Sequence, residues 1–525
     1  MLEIYDCTLR EGEQAHGVSF SLEDRIELCK RLDEFGVDFI ELGWPLTSKE
    51  ILSSFKYAIK AVKNAKIVAF GSTSIKSDPA QDDNLNTILE CGAKYACIFG
   101  KTLPEHIEKQ LKISKEDNLK KIKQSIEYLK ENGITVFYDA EHYFDAFKID
   151  KNYAISTLLA SLDAGAERII LCDTKGGILP DEARSIMKET YDELSRSGKV
   201  FSLGAHYHND CGIALANTLA SLDYIIQVQG TINGIGERVG NLNFSEFLPV
   251  YIKKLNGKSR IDLKKLKEMN ETAYRISGIA IPESRPFIGD LAFSHKGGVH
   301  IDAETKGASY NHEDPRDFGN KSIFVLNSLG GRNSVVKIAE DFGYRLNKND
   351  PETKEKIERL FKDLRKHEQA GYQLGHLRAE QYLLLRKHLG TDEHLFDIKA
   401  WNSESRKDIT GKERARFYCV CNVNGILIDH ELSVEGGPVE ACFNTLKEIL
   451  SKDHPEASEL RLYDFSVRIA REREEESTVR TEIWFKNSEE FSTVGVDRNI
   501  IGSAVEAIAK GFRYHILRAQ SGLKT

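Results

Sequence analysis

The chain has 525 residues, of which 29% are charged, and its formal net charge is −8. Single hydrophobic cores stop growing near about 250–300 residues, so this length predicts two or three domains. The interspersed charges and small acidic surplus exclude the basic surface of a nucleic-acid-binding protein. No apolar run approaches the roughly 18 residues of a membrane span, and the first residues already follow a strand pattern. We therefore predict a cytoplasmic protein with neither membrane nor nucleic-acid partners.

The nine cysteines (7, 29, 91, 97, 172, 211, 419, 421 and 442) are scattered, with no C-x-x-C pair. Several lie inside apolar strand patterns such as Tyr95–Phe99. This distribution predicts reduced, buried thiols, as is usual in the cytoplasm, and not a disulfide framework.

The first 250 residues alternate short strand patterns with longer helical ones. The strand patterns are Leu2–Thr8, Val37–Gly43, Lys66–Gly71, Lys94–Phe99, Ile134–Glu141, Arg168–Thr174, Phe201–His208 and Ile226–Asn233. Eight β-α repeats in about 250 residues are typical of a (β/α)8 TIM barrel. A doubly wound open sheet is the alternative, but no glycine-rich dinucleotide turn follows the first strand. In the first helix, Ser21 with Asp24 predicts the start and Gly36 the end.

The rest of the chain changes character twice, so we predict three parts. Residues 1–265 form the barrel, 266–410 form helical linker subdomains that contribute to the active site, and 411–525 form an α+β domain. The segment Asp350–Gly390 is charged and helical in pattern. From about residue 413 strands and helices alternate in two similar halves, which end in the amphipathic helices Pro438–Leu450 and Asn499–Tyr514.

His206 and His208 end the seventh strand pattern. Residues two apart in a strand face the same side, here the barrel interior at the carboxyl-terminal rim, where barrel enzymes keep their active sites. Two such imidazoles can bind one metal, although either histidine can also be a hydrogen-bonded core residue. Glu11 would complete a set of two histidines and one carboxylate, although beside Arg10 it can also form a rim salt bridge. Strand eight ends in the glycine-rich loop 234–241, whose backbone must approach another group closely.

Together, Thr8–Gln14, His206–Asn217 and Asn233–Asn241 resemble the family of 2-isopropylmalate, homocitrate and citramalate synthases. The resemblance runs over nearly the whole chain and includes Ala292–Asp302. Leu432–Gly437 and Thr493–Ile501 resemble the family's regulatory dimerisation domain. The resemblance implies an acyltransferase that condenses acetyl-CoA, as cosubstrate, with an α-keto acid and then hydrolyses the thioester.

The resemblance also implies the roles of individual residues. It implies a divalent metal ion (Mg, Mn or Zn) whose ligands are Glu11, His206, His208 and Asn241. Many relatives have aspartate where this chain has Glu11. The implied catalytic residues are Arg10, Glu141, His300 and Tyr310. The implied substrate-binding residues are Arg10, Thr174 and Asp302, with Thr174 anchoring the carboxylate of the keto acid.

Four further segments most resemble the longer citramalate synthase branch: Val68–Thr73, Ile98–Thr102, Tyr138–Lys148 and Gln227–Asn233. This branch implies pyruvate as the acceptor, on a route to isoleucine. 2-Isopropylmalate synthase, with 2-ketoisovalerate as acceptor, is the close alternative, because an apolar pocket discriminates one methylene by only about 1–3 kcal/mol. Homocitrate synthase would need a further cationic contact, and the related lyases use a cysteine that the loop after strand eight lacks.

The C-terminal domain implies a homodimer with feedback by isoleucine or leucine. Its turn Glu435–Gly437 precedes Pro438 at a helix start, a favoured position for proline. Without the family resemblance this turn would be interpreted as structural.

Overall fold

The computed structural model describes residues 1–279, 282–295, 310–327, 331–347, 349–375, 377–389, 395–471, 477–487 and 490–521. The chain divides into two compact units. The first comprises Met1–Ala292 with Glu313–Lys321, and the second comprises Phe293–His312 with Ser322–Thr525. Among the described residues, no helix combines the length and apolar character needed to cross a bilayer.

The first unit contains a closed barrel of eight parallel strands in sequential order, with β8 pairing with β1. Its strands are β1 Glu3–Asp6, β2 Phe39–Gly43, β3 Lys66–Ser72, β4 Tyr95–Lys101, β5 Thr135–Glu141, β6 Arg168–Asp173, β7 Leu203–Tyr207 and β8 Gln227–Gly230. The predicted (β/α)8 barrel is thus confirmed and the open sheet is excluded. Strand β8 is shorter than its predicted range because the chain turns at Asn233, whose φ is 65°.

Helices surround the barrel in the expected alternation. Those of six or more residues are α1 Leu22–Phe35, α2 Lys49–Ala61, α3 Asp83–Glu90, α4 Lys115–Glu131, α5 Tyr143–Ile149, α6 Lys151–Asp163, α7 Pro180–Arg196, α8 Ala214–Ser221, α9 Phe244–Pro249 and α10 Leu266–Ser277. Helix α1 has the predicted ends: Ser21 and Asp24 form a reciprocal capping box, and the chain leaves the helix at Gly36 with φ 104°.

The barrel interior is filled by aromatic side chains below the carboxyl-terminal rim. The Phe39 ring lies 5.1 Å from that of Phe137 and 6.0 Å from that of Tyr5, measured between centroids. All three are buried. Because this layer blocks the barrel from below, the functional side chains are confined to the rim above it.

The second unit begins with a short parallel pair, β9 Ser294–His295 and β10 Ile323–Phe324. Its described helices before the sheets are α11 Arg332–Asp341, α12 Pro351–Ala370 and α13 Arg378–Leu389. Two similar halves follow, each an antiparallel three-stranded sheet and a helix, as predicted. They are β11 Phe396–Lys407, β12 Glu413–Val423, β13 Ile426–Val434 and α14 Pro438–Leu450, then β14 Arg461–Arg471, β15 Thr478–Lys486, β16 Glu490–Asp497 and α15 Ile500–Ser521.

The compact units differ from the predicted ranges at both boundaries. Helix α10 belongs to the unit of the barrel, although it follows residue 265. Strand β11 precedes residue 411 but pairs with β12 along its length. Polar residues dominate β11, so its sequence lacks the apolar alternation of a half-buried strand. Helices α11–α13 also share one buried core with the two sheets.

Candidate active site

A cavity of about 190 Å³ opens at the carboxyl-terminal rim of the barrel. Strands β1, β5, β6 and β7 end at this rim and carry predicted site residues in their last residues or in the loops that follow. The predicted residues that line the cavity are Arg10, Glu11, Glu141, Thr174, His206 and His208. The fold therefore brings together groups that are up to about 200 residues apart in the chain.

Glu11, His206 and His208 form a compact set of metal-ligating groups. One ligand atom from each lies within 4.8 Å of the others, and the two histidine Nε2 atoms are 3.3 Å apart. Burial and the neighbouring His206 lower the pKa of His208 to about 3, so its imidazole is neutral at pH 7. Burial raises the pKa of Glu11, but the neighbouring positive charge of Arg10 outweighs this and keeps the pKa below its ordinary value. A carboxylate with two imidazoles is a donor set suited to a divalent cation.

Asn241 completes this set from the loop after β8. Its side-chain nitrogen lies 3.0 Å from His206 Nε2, and its Oδ1 is buried with no hydrogen-bond partner among the described residues. A buried unpaired acceptor costs about 1–3 kcal/mol, so this amide is poorly satisfied by the protein alone. Rotation of the amide by 180° would direct the oxygen at the same point as the imidazoles. The residues present thus fit a bound divalent cation.

Gly236 explains the glycine-rich sequence of this loop. A Cβ atom at residue 236 would lie 2.0 Å from Asn241 Oδ1 and 3.4 Å from Glu11 Cγ. A side chain would therefore occupy the space of the Asn241 amide. This is the close approach that the glycine content of 234–241 predicts.

Arg10 is held between two carboxylates. Its Nε donates to Glu41 Oε2 at 2.5 Å, and its Nη1 pairs with Glu11. Glu41 is fully buried and also accepts a hydrogen bond from the Tyr5 hydroxyl at 2.6 Å. The guanidinium carbon lies 3.9 Å from the centroid of the Phe70 ring. These contacts fix the orientation of a permanent positive charge at the cavity wall.

Glu141 and Thr174 lie on the walls formed by β5 and β6. Glu141 pairs with Lys101, whose Nζ is 2.6 Å from Oε2. The backbone N–H of His142 donates to Thr174 Oγ1 at 2.8 Å. This contact uses the hydroxyl oxygen as acceptor, so the O–H itself can donate to a ligand in the cavity.

Three predicted residues are not among the described residues of the barrel unit. Tyr310 is 55% exposed and belongs to the second unit. His300 and Asp302 lie outside the described residues. The roles that the family resemblance implies for these three residues stay predictions.

An aromatic wall that the sequence did not indicate borders the cavity, formed by Trp44, Phe70 and Phe99. Its ring centroids are 5.6–5.8 Å apart, with Phe70 and Phe99 stacked and Trp44 edge-on to both. The Trp44 indole N–H donates to Asn84 Oδ1 at 2.7 Å, which fixes the ring. Trp44 follows β2, whereas Phe70 and Phe99 each lie two residues before the end of β3 and β4, so no local sequence pattern marks the wall.

Arg238 links three rim loops, and sequence reasoning also missed this role. Its Nε and Nη2 donate to the two carboxylate oxygens of Asp210, each at 2.8 Å. Its Nη2 also donates to the backbone carbonyl of Thr174 at 2.9 Å. The motifs H-N-D and G-E-R were visible in the sequence, but their pairing depends on the barrel closing. The ion pair joins the loops after β7 and β8, and the hydrogen bond to Thr174 adds the loop after β6.

The matches to protein families follow the chain in three steps. Residues 1–273 match the HMGL-like family, 287–369 match the homocitrate synthase post-HMGL domain-like family, and 376–516 match the LeuA allosteric (dimerisation) domain. The fold and the rim site thus define an HMGL-like barrel enzyme with an appended LeuA-type domain.

Comparison with similar proteins identifies the family within this class of barrel enzymes. An (R)-citramalate synthase of Geobacter sulfurreducens is 36% identical, covering 99% of this chain and 98% of the relative. An (R)-citramalate synthase of Sulfolobus acidocaldarius is 36% identical, covering 98% and 97%. A 2-isopropylmalate synthase of Listeria innocua is 26% identical, covering 96% and 95%. The chain belongs to the (R)-citramalate synthase family and is an acyltransferase.

Proposed function

We propose that the enzyme condenses acetyl-CoA with pyruvate to give (R)-citramalate and free CoA, in a step towards isoleucine. One observation carries this proposal: Arg10, Glu11, His206 and His208 converge on one cavity. They do so in a chain that is 36% identical to (R)-citramalate synthases over nearly its whole length.

The chain's own residues fit the charge changes of this reaction. A thioester methyl is a very weak acid, and its enolate and the later alkoxide both carry negative charge on oxygen. Arg10, fixed by Glu41 at 2.5 Å, is placed to donate to such an oxygen without reorganising. We infer that Thr174, whose hydroxyl oxygen accepts from the His142 N–H, donates its O–H to the carboxylate of the keto acid. Glu141 adds a carboxylate to the cavity wall and pairs with Lys101.

We further propose that Glu11, His206, His208 and Asn241 hold a divalent cation. When bound, such a cation polarises the keto-acid carbonyl as a Lewis acid. Glu11, where many relatives have aspartate, reaches the two histidines: its Oε1 is 3.7 Å from His208 Nε2. The buried Asn241 oxygen and the space left by Gly236 support the same site.

The aromatic wall supports a small acceptor. The rings of Trp44, Phe70 and Phe99 contact one another and border a cavity of only about 190 Å³. The pyruvate methyl is two carbons smaller than the isopropyl group of 2-ketoisovalerate. This difference makes pyruvate the better fit. The second candidate is 2-isopropylmalate synthesis, which is supported by the 26% identity to such an enzyme over nearly the whole chain. Homocitrate synthesis is less favoured, because Lys101, the cation beside Glu141, is already paired.

The C-terminal domain supports regulation and dimerisation, and we propose a homodimer inhibited by isoleucine or leucine. In the second unit a cavity of about 580 Å³ lies beside the first residues of α14 and α15, Pro438 and Ile500. Backbone N–H groups at helix starts attract carboxylates, and Phe443, Leu462 and Phe465 supply apolar walls for a branched side chain. Titration of both amino acids against activity tests this, and no response to either contradicts it.

We place the reaction in the cytoplasm. The nine cysteines are free, and all except Cys211 are buried. Unpaired buried thiols fit a reducing compartment.

The decisive experiment measures CoA thiol release with pyruvate, 2-ketoisovalerate and 2-ketoglutarate side by side, with chiral analysis of the product. We expect pyruvate to be preferred and (R)-citramalate to form. His206→Ala should abolish release, whereas His454→Ala, which removes a buried histidine of the second unit, should retain it. Preference for 2-ketoisovalerate, or unchanged activity of His206→Ala, would contradict the proposal.

A further inference from the structure

Gln229 lies directly behind the predicted metal ligand His206. The two residues are opposite each other in the pairing of β7 with β8, and Gln229 is 1% exposed. Gln229 Oε1 is 2.8 Å from His206 Nδ1. An amide oxygen can only accept, so this contact is a hydrogen bond when the proton of the imidazole is on Nδ1. His206 then keeps its lone pair on Nε2, the atom that lies 3.3 Å from His208 Nε2.

The orientation of the Gln229 amide is itself fixed by buried neighbours. Its nitrogen lies 3.4 Å from Asp139 Oδ1 and 3.9 Å from Cys97 Sγ. The Cys97 thiol donates to the same Asp139 oxygen at 3.0 Å. Exchange of the amide oxygen and nitrogen would place the oxygen against the Asp139 carboxyl and lose this bond. In the hydrogen-bonded series Asp139–Gln229–His206, the Gln229 amide therefore has one favourable orientation.

We propose that Gln229 is a positioning residue that selects Nε2 as the metal-binding atom of His206. This inference rests on the proposed metal site but concerns a residue outside the ligand set. Groups that bind the second nitrogen of a metal-ligating histidine fix its tautomer and ring orientation, and their loss typically weakens metal binding about 10–100-fold.

The barrel offers a matched control on the same strand. Gln227 is two residues earlier, so it has the same side-chain direction, and it is equally buried. Its amide nitrogen donates to Glu3 at 3.0 Å, near the start of β1 and away from the rim. Gln227→Met therefore measures the general cost of losing a buried glutamine inside the barrel.

The test uses the purified full chain, stripped with EDTA and titrated calorimetrically with Mn²⁺ and, separately, Zn²⁺. We expect Gln229→Met to raise the Kd about 10–100-fold and Gln227→Met to stay within about threefold of wild type. Thermal unfolding of the metal-free proteins identifies any variant that fails to fold. If Gln229→Met is one, Gln229→Leu, which also lacks an acceptor and should raise the Kd similarly, carries the comparison.

An unchanged Kd in Gln229→Met, or an equal loss in Gln227→Met, would overturn the inference. A wild type that binds Mn²⁺ but makes no citramalate would refute the proposed substrate and leave this test intact. A wild type that binds neither metal would overturn both the metal site and the role of Gln229.

Discussion

Phe99 offers a direct test of how the aromatic wall selects the acceptor. Its ring stacks on Phe70 with centroids 5.6 Å apart and meets Trp44 edge-on at 5.8 Å. The side chain is half-buried. Phe99→Ala should therefore lower the free energy of unfolding by less than the about 3–5 kcal/mol typical of a fully buried phenylalanine. The substitution opens space beside the cavity without touching the predicted metal ligands or Arg10.

The expected change in specificity follows from the size of the acceptor. Each additional methylene that a filled apolar pocket excludes is worth about 1–3 kcal/mol, or about 10–200-fold in kcat/KM. 2-Ketoisovalerate has two more carbons than pyruvate. If the removed ring accommodates one of them, the ratio of kcat/KM for pyruvate to that for 2-ketoisovalerate should fall at least about tenfold.

The assay is CoA thiol release at varied concentrations of each keto acid and saturating acetyl-CoA. Phe201→Ala is the control, because Phe201 is also half-buried but packs on Tyr191 with ring centroids 5.2 Å apart, outside the cavity. A ratio in Phe99→Ala that equals that of Phe201→Ala, with both proteins folded, would refute the role of the wall.

Three more predictions concern the groups that hold the site. Gly236→Ala should weaken metal binding in a calorimetric titration, since its Cβ would lie 2.0 Å from Asn241 Oδ1. Gly177→Ala is the control and should leave metal binding unchanged, because no atom lies within 4 Å of the added Cβ. Equal losses of affinity in the two variants would contradict the argument. Arg238→Gln should raise the KM for pyruvate about 10–100-fold by releasing the Thr174 loop, whereas Arg184→Gln, which breaks an exposed pair with Asp223, should not. Glu41→Gln should lower kcat and reduce the free energy of unfolding in urea by up to about 3–5 kcal/mol, because it removes one of the two buried carboxylates that neutralise Arg10. Tyr5→Phe, the control, removes one neutral donor to Glu41 and should lower the free energy of unfolding by about 1 kcal/mol without changing kcat. Equal losses of kcat in the two variants would argue against the charge of Glu41 as the cause.

The local sequence was sufficient to predict the barrel and the groups with their own chemical signature. Eight alternating patterns marked the strands, and the capping residues Ser21 and Gly36 marked the ends of α1. The two-residue spacing of His206 and His208 placed both side chains on the interior face. The end of β8 was misplaced because a positive φ at Asn233 leaves no signature in the hydrophobic pattern. Strand β11 was missed because its exposed face and much of its packed face are polar.

The residues that support the site could not be predicted in the same way, because their roles depend on strand register. Nothing in the local sequence distinguishes Gln229, and only the pairing of β7 with β8 places it opposite His206. Phe70 and Phe99 become one wall because β3 and β4 are adjacent in the barrel and end at the same rim. Arg10, in the loop after β1, contacts Glu41, the third residue of β2, because these two strands are paired. A one-residue shift in any of these pairings would turn the supporting side chain to the opposite face of the barrel. The register of the closed barrel therefore determines which residues contact the site, and the predictions for Gln229, Phe99 and Glu41 test the contacts that result.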